Sequence, residues 1–289
     1  MMVKEFDSAQ NFLKDYEAVL LEHEAVSQLI LYNAYPNLLV PASEKCIFGA
    51  VLEEEATLLL FCNVAQYNLV VYAVNQNNLE NASAALADFI TSNHISITGI
   101  NAKQEICESF IEQYNKNIGS TFVEKLGMDI MEIRELNDIK PVDGKYRLAL
   151  PEKAKLITNW MIQYQIEALA NEVDYEAALE KATLLIDENK IYVYENIEEK
   201  VVSMAITARA LPHGIAFSYV FTPEEYRGKG YAAANIYFIC KEMLESGYEF
   251  CTIFADKKNP VFSRAYEKVG FKILEDQYDY KILPPVVKD

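Results

Sequence analysis

Between an apolar run, Ile215 to Phe221, and a helical pattern that begins near Ala232 lies Arg227-Gly228-Lys229-Gly230-Tyr231-Ala232, two glycines flanking a lysine. The first N–H groups of a helix have no intrahelical acceptor and point outward with the positive end of the dipole, so the ligand such a turn suits is a phosphate or pyrophosphate. Glycine lets that ligand approach the backbone closely. The flanking elements fit the role. Pro223 cannot donate to a ladder and ends the strand near Thr222, while Ala232, Ile236, Ile239, Cys240 and Met243 recur at helical spacing until Gly247 supplies a C′ residue.

Two other phosphate loops share part of this pattern. Gly228-x-Gly230-x-x-Ala233 satisfies a dinucleotide-binding fingerprint literally. That fingerprint follows the first strand of a unit with further β-α repeats behind it, whereas here one more helix and two strands remain. A Walker A loop needs Lys and then Ser or Thr after its last glycine, where this chain has Tyr231 and Ala232.

The hexapeptide resembles the Gln/Arg-x-x-Gly-x-Gly/Ala loop that binds the pyrophosphate of acetyl-CoA in the GCN5-related N-acetyltransferase (GNAT) superfamily. The chain beyond the loop keeps the order of that family: a strand over Phe250–Ala255, Asn259-Pro260, a short helix to Val269, Gly270, and a last strand over Phe271–Ile282. The resemblance covers the chain from Asp143 onward. It implies that Arg227, Gly228, Lys229, Gly230, Tyr231 and Ala232 bind the pyrophosphate. It also implies that the strand before the loop splays from its neighbour, offering the backbone of Tyr219, Val220 and Phe221 to the pantetheine arm and the thioester oxygen. Asn259 is a further cofactor contact by the same resemblance, and Tyr266, two turns into the last helix, is the acid that protonates the leaving thiolate. Tyr266 also fits a core stripe with Val269, and a phenol of pKa about 10 protonates a thiolate of pKa about 8.5 only with help from the site.

No general base announces itself. His213 precedes the strand and stands about 26 Å from Phe221 at about 3.3 Å per residue, as a turn residue would. Glu224, Glu225 and Asp256 lie near the strand ends, where a carboxylate could act directly or through water. Lys257 and Lys258 could meet a phosphate of CoA or simply face solvent. His23, His94 and His213 are scattered without metal-ligand spacing.

Composition narrows the classes. With 289 residues, 51% of them hydrophobic, the chain can bury one large or two ordinary cores. The 26 basic and 43 acidic residues give a net charge of −17, which disfavours nucleic acid and anionic membranes. No apolar run approaches a membrane span and Met1 to Gln10 does not read as a secretory signal, so a soluble protein is expected. Five cysteines without C-x-x-C spacing suit a reducing cytoplasm, with Cys240 and Cys251 as core residues.

Two halves emerge along the chain. Residues Asp7 to Leu38 predict one or two helices, broken by Pro36 and Pro41. Strands are expected over Cys46–Leu52, Thr57–Val64 and Asn68–Val74, separated by Glu53-Glu54-Glu55 and Ala65-Gln66-Tyr67. A helix over Leu79–Thr91, a strand near Ile95–Ile100, a helix over Lys103–Asn117, Gly119 and a strand over Thr121–Leu136 complete the first half. After Pro141, Asp143 and Gly144 the order recurs: a strand Tyr146–Leu150, helices Pro151–Ala170 and Tyr175–Ile186, then strands Ile191–Glu195, Val201–Ala208 and Ile215–Phe221. Strand, helix, strand, helix, Gly, strand closes both halves, with Gly119 and Gly270 in corresponding places. Where the second half carries its glycine loop, the first has Asn75-Gln76-Asn77-Asn78-Leu79-Glu80, without glycine.

The expectation is therefore an α/β (α+β) chain of two GNAT-like domains, each by resemblance a mixed, mostly antiparallel sheet flanked by helices. Residues 1–138 would be the degenerate copy and 139–289 the acetyl-CoA-binding one. The implied function is direct acetyl transfer from acetyl-CoA to a primary amine of a small molecule or peptide. A non-catalytic acyl-CoA-binding regulator and a ligand-free interaction protein are the alternatives.

Overall fold

A computed structural model of the protein describes residues 1–37, 46–64, 67–169 and 171–283. Leu38, Pro41, the Ala65-Gln66 turn and Ala170, all given places by the sequence, lie outside them. Two compact units result: Met1–Met128 with the C-terminal segment from Glu275, and Asp129–Leu274.

The first unit contains β1 (Met2–Phe6), α1 (Ala9–Glu22), α2 (Glu24–Ala34), β2 (Cys46–Glu53), β3 (Ala56–Val64), β4 (Leu69–Ala73), α3 (Leu79–Ser92), β5 (Gly99–Ala102) and α4 (Gln104–Ile118). Then β6 (Phe122–Ile133) leads into the second unit, with β7 (Lys145–Leu148), α5 (Ala154–Leu169), α6 (Tyr175–Asp187), β8 (Ile191–Glu195), β9 (Val201–Ala210), β10 (Gly214–Phe221), α7 (Tyr231–Glu245), β11 (Phe250–Asp256) and α8 (Pro260–Val269). The last strand, β12 (Lys272–Ile282), starts in the second unit and ends in the first. Tyr278 to Lys281 of β12 pair with Ala102 to Gly99 of β5, which is why the chain end belongs with the first unit. Residues 129–138 pack with the second, so the single cut between 138 and 139 expected from the sequence differs from the division by packing.

Each unit is a mixed sheet between helices. In the first, β1 to β4 form an antiparallel meander and β4 pairs in parallel with β5. In the second, β7 to β10 form the meander and β10 pairs in parallel with β11. The side-chain period of two decides which helices each face receives. Along β3, Leu59 and Phe61 pack with Leu86, Ile90, Ile106 and Phe110 of α3 and α4. Leu60 and Cys62 pack with Phe12, Leu20, Ile30 and Leu31 of α1 and α2. Along β9, Met204 and Ile206 meet Ile157, Trp160 and Ile186 of α5 and α6, while Ala205 meets Ile236, Ile239 and Cys240 of α7. A large apolar side chain of this kind, fully buried, contributes about 1.5–3 kcal/mol.

Local chemistry sets several helix ends. Ser8 Oγ accepts the Asn11 N–H at 3.1 Å to start α1, and the Asp174 carboxylate accepts the Ala177 N–H at 3.0 Å to start α6. Gly119 ends α4 in the left-handed region at φ 74°.

Two expectations shift. The strand near Ile95–Ile100 forms later, at Gly99–Ala102, because the chain leaves α3 through His94 at φ 54° and the Ile95 N–H still donates to Ile90 O at 3.0 Å. Ile97 reaches the core from the connection instead. The second is β1, which sequence pattern does not reveal. Its charged pair Lys4-Glu5 hides an edge strand that pairs Met2 with Leu52 through Phe6 with Phe48.

Candidate active site

β10 and β11 run in parallel register only from Gly214 with Phe250 to Phe217 with Ile253. Beyond that point β10 also slips against β9: Ser218 pairs with Ile206, the register shifts, and Phe221 pairs with Met204. Tyr219 takes up the slip with φ 50°, a left-handed conformation unusual for a tyrosine. The strand end is then pinned on one side. Ser203 Oγ donates to Phe221 O at 3.2 Å and Thr222 Oγ1 donates to Ser203 Oγ at 3.1 Å. The result is a splay toward β11, with backbone groups of Tyr219 and Val220 outside both ladders. Val220 points into the core beside α7, and Phe221 packs against Trp160 with ring centroids 6.0 Å apart.

The glycine loop follows this strand end. A single 3-10 turn, Glu224–Tyr226, leads to Gly228 at φ 75° and Gly230 at φ 86°, and α7 begins at Tyr231 with no side-chain cap. Both glycines hold a conformation that L side chains rarely adopt, and a Cβ on Gly228 would meet nothing within 4 Å. Since the Ala234 N–H is the first to find an acceptor in the helix, Gly230 O at 3.0 Å, the N–H groups of Tyr231, Ala232 and Ala233 have none within it. Two cations flank this N-terminus. Arg227 Nε donates to Thr222 O at 2.8 Å and its Nη2 meets Glu167 of α5 at 2.6 Å, whereas Lys229 Nζ donates to Glu225 O at 2.8 Å. Tyr231 packs against Tyr194 and Tyr226, with centroids 6.2 and 6.4 Å away.

The corresponding turn of the first unit also opens its helix without a side-chain cap, but asparagines stand where the second unit has glycines. Asn78 occupies the N-cap of α3 at φ 55°, as Gly230 does for α7, but the Asn77 N–H donates to Asn75 Oδ1 at 2.9 Å. Asn78 Nδ2 donates to Glu53 at 2.8 Å and Asn81 Nδ2 to Asn78 Oδ1 at 2.6 Å, with Glu80 in the first turn.

Asn259 stands at the N-cap of α8, where its side chain makes no capping hydrogen bond and its N–H donates to Asp256 O at 3.0 Å. Tyr266 is buried at 4% exposure in the core of α7, α8 and β11, its ring 5.8 Å from that of Phe271. Burial, then the neighbouring phenol of Tyr164, pushes its pKa far above the ordinary tyrosine value. The group is neutral at physiological pH, as an acid must be. His213 sits in the turn between β9 and β10, and Lys257 pairs with Asp129 at 2.9 Å. Glu224 and Glu225 are on the 3-10 turn, while Asp256 is half-buried at the end of β11. Among the described residues no cluster of three or more His, Cys, Asp or Glu is placed to hold a metal ion.

Three residues of this site carry no signal in the sequence: Tyr164 and Gln165 on α5 and Lys181 on α6. The Tyr164 ring lies 4.7 Å from that of Tyr219, and its phenol oxygen accepts the Tyr219 backbone N–H. Burial, then the charges of Tyr219 and Asp256, pushes the Tyr164 phenol up to about 12 despite that hydrogen bond. The Tyr219 hydroxyl in turn receives Gln165 Nε2 and, at 3.2 Å, Lys181 Nζ. Helix periodicity predicts the helix of Tyr164 but cannot say which strand end it crosses.

Residues 155–271 match the model of the Acetyltransferase (GNAT) family. A GNAT-family acetyltransferase from Colwellia psychrerythraea is 12% identical with a TM-score of 0.55, the match covering 98% of this chain and 100% of that one. A GCN5-related N-acetyltransferase from Sphaerobacter thermophilus is 10% identical with a TM-score of 0.59, covering 99% and 98%. A Drosophila protein is 9% identical with a TM-score of 0.61, covering 98% of each. No curated protein matches the chain. At these identities the structures speak to fold, and the family model speaks to the segment that holds the splay and the glycine loop: residues 155–271 are similar to the GNAT acetyltransferase family, and nearly the whole chain shares the fold of these solved structures.

Proposed function

We propose that the protein is an acetyl-CoA-dependent N-acetyltransferase that passes the acetyl group directly to a primary amine. The observation that carries this reading is the end of β10–β11 pairing at Phe217 and Ile253, before β10 runs out at Phe221 toward a helix N-terminus built on two positive-φ glycines. Acetyl-CoA supplies an activated thioester. The backbone N–H groups of Gly228 to Ala232, with Arg227 and Lys229, would hold its pyrophosphate. The splayed backbone of Tyr219, Val220 and Phe221 would take the pantetheine arm and the thioester oxygen, whose developing charge a fixed N–H stabilises. Asn259 would contact the cofactor from the start of α8.

As the amine nitrogen bonds to the acetyl carbon, it must lose a proton, and the C–S bond breaks to a thiolate that must gain one. Tyr266, neutral and buried, is our candidate for the second proton. Asp256 is our candidate to accept the first, because it ends β11, the strand from which β10 parts beyond Phe217. The first unit, whose α3 turn has no glycine and carries Glu80 in its first turn, would shape the protein without taking cofactor.

Calorimetric titration with acetyl-CoA and CoA, followed by thiol release over a panel of amines, tests the reading. Binding with turnover on one amine class supports it, and binding without turnover on any favours an acyl-CoA-binding regulator. No binding removes both.

A further inference from the structure

The Tyr219 N–H is released twice over. The bulge takes it out of the β9 ladder, and the end of parallel pairing leaves no β11 residue opposite it. A backbone N–H inside a protein needs an acceptor, and here the acceptor is a side chain from another layer, the phenol oxygen of Tyr164. That contact is built to persist. The Tyr164 ring lies against the Tyr219 ring, and the Tyr219 hydroxyl is tied to α5 through Gln165 and to α6 through Lys181.

We propose that Tyr164 competes with the thioester for the Tyr219 N–H, its phenol oxygen standing where the thioester carbonyl oxygen comes to rest. This rests on the reading of the splayed backbone as the thioester site. One N–H cannot serve both oxygens at full strength, so acetyl-CoA must displace the phenol from it. Free CoA has no carbonyl on its sulfur and leaves the contact intact. Tyr164 therefore sets the preference between the acylated and free forms of the cofactor, against the acylated one.

The experiment is calorimetry of the full chain and of Tyr164→Phe, each with acetyl-CoA and with CoA. The variant keeps the ring and loses the competing oxygen, so its acetyl-CoA dissociation constant should fall by about threefold to tenfold, the worth of one neutral hydrogen bond, while that for CoA stays put. Tyr164→Leu, which also lacks the oxygen, should move the same ratio in the same direction if the phenylalanine variant does not fold. An equal shift for both ligands, no shift in either, or weaker acetyl-CoA binding overturns the role of Tyr164 and leaves the acetyltransferase reading standing. A wild-type chain that binds neither ligand removes that reading and this inference with it.

Discussion

Gly228 and Gly230 bracket Lys229 with φ of 75° and 86°, turning the backbone of the loop so that α7 opens without a side chain over its first N–H groups. Gly230→Glu would impose a side chain in a strained conformation, with its Cβ 3.0 Å from Val142 Cγ1, and bring negative charge to the proposed pyrophosphate site. Acetyl-CoA affinity should drop at least about tenfold, since a repelled charge and a strained residue each cost on the order of 1 kcal/mol or more. Gly119→Ala is the control. It meets the same left-handed strain at φ 74°, in the other unit, and should lower the melting temperature without changing affinity. Equal loss of affinity in both variants would refute the placement of the cofactor.

Tyr266→Phe removes one hydroxyl from a side chain that is otherwise core. With the best amine found, turnover should fall by about 10²-fold or more while acetyl-CoA affinity holds, the pattern of a lost general acid. Near-normal turnover would reduce Tyr266 to packing against Phe271.

Asp256→Asn keeps the size of the side chain, and its oxygen can still accept the Lys258 N–H that Asp256 Oδ1 receives at 2.8 Å. If the carboxylate takes the amine proton, the variant should lose at least about 10²-fold in turnover at neutral pH and recover part of it as pH rises and more of the amine is already neutral. A variant with unchanged rate and pH profile would send the search for the base to Glu224, Glu225 or solvent.

Alkaline stability should report the buried phenols. Burial pushes Tyr72 and Tyr280 in the first unit, and Tyr164 and Tyr192 in the second, from the model-peptide value near 10 up to about 12. The folded chain keeps these protons to higher pH than the unfolded chain, so their contribution is complete below about pH 10 and is lost as pH rises toward 12. Melting temperature should decline across that window together with a rise in phenolate absorbance. Tyr192→Phe should flatten part of the decline, and a curve identical to wild type would show that Tyr192 does not carry it.

Much of the architecture is written in short-range pattern. The unbroken apolar run Leu58 to Cys62, the positive-φ glycines at 119 and 270 and the Gly-Lys-Gly loop each act within a few residues, so composition and local pattern expose the strand–helix order of both units and the anion-binding turn. Edge strand β1 escapes, because most of its side chains answer to solvent and carry no apolar period. What only the tertiary structure decides is where pairing stops and what crosses the gap. Parallel register between β10 and β11 ends at Phe217 because Tyr219 bulges against β9, and no local preference of a tyrosine asks for φ 50°. Tyr164 meets that bulge, and the end of β12 joins β5, through contacts between residues distant in the chain. Such contacts are fixed by the packing of whole layers, which rewards burial and hydrogen bonding over any single residue's propensity, and a sequence states them only through the fold it makes.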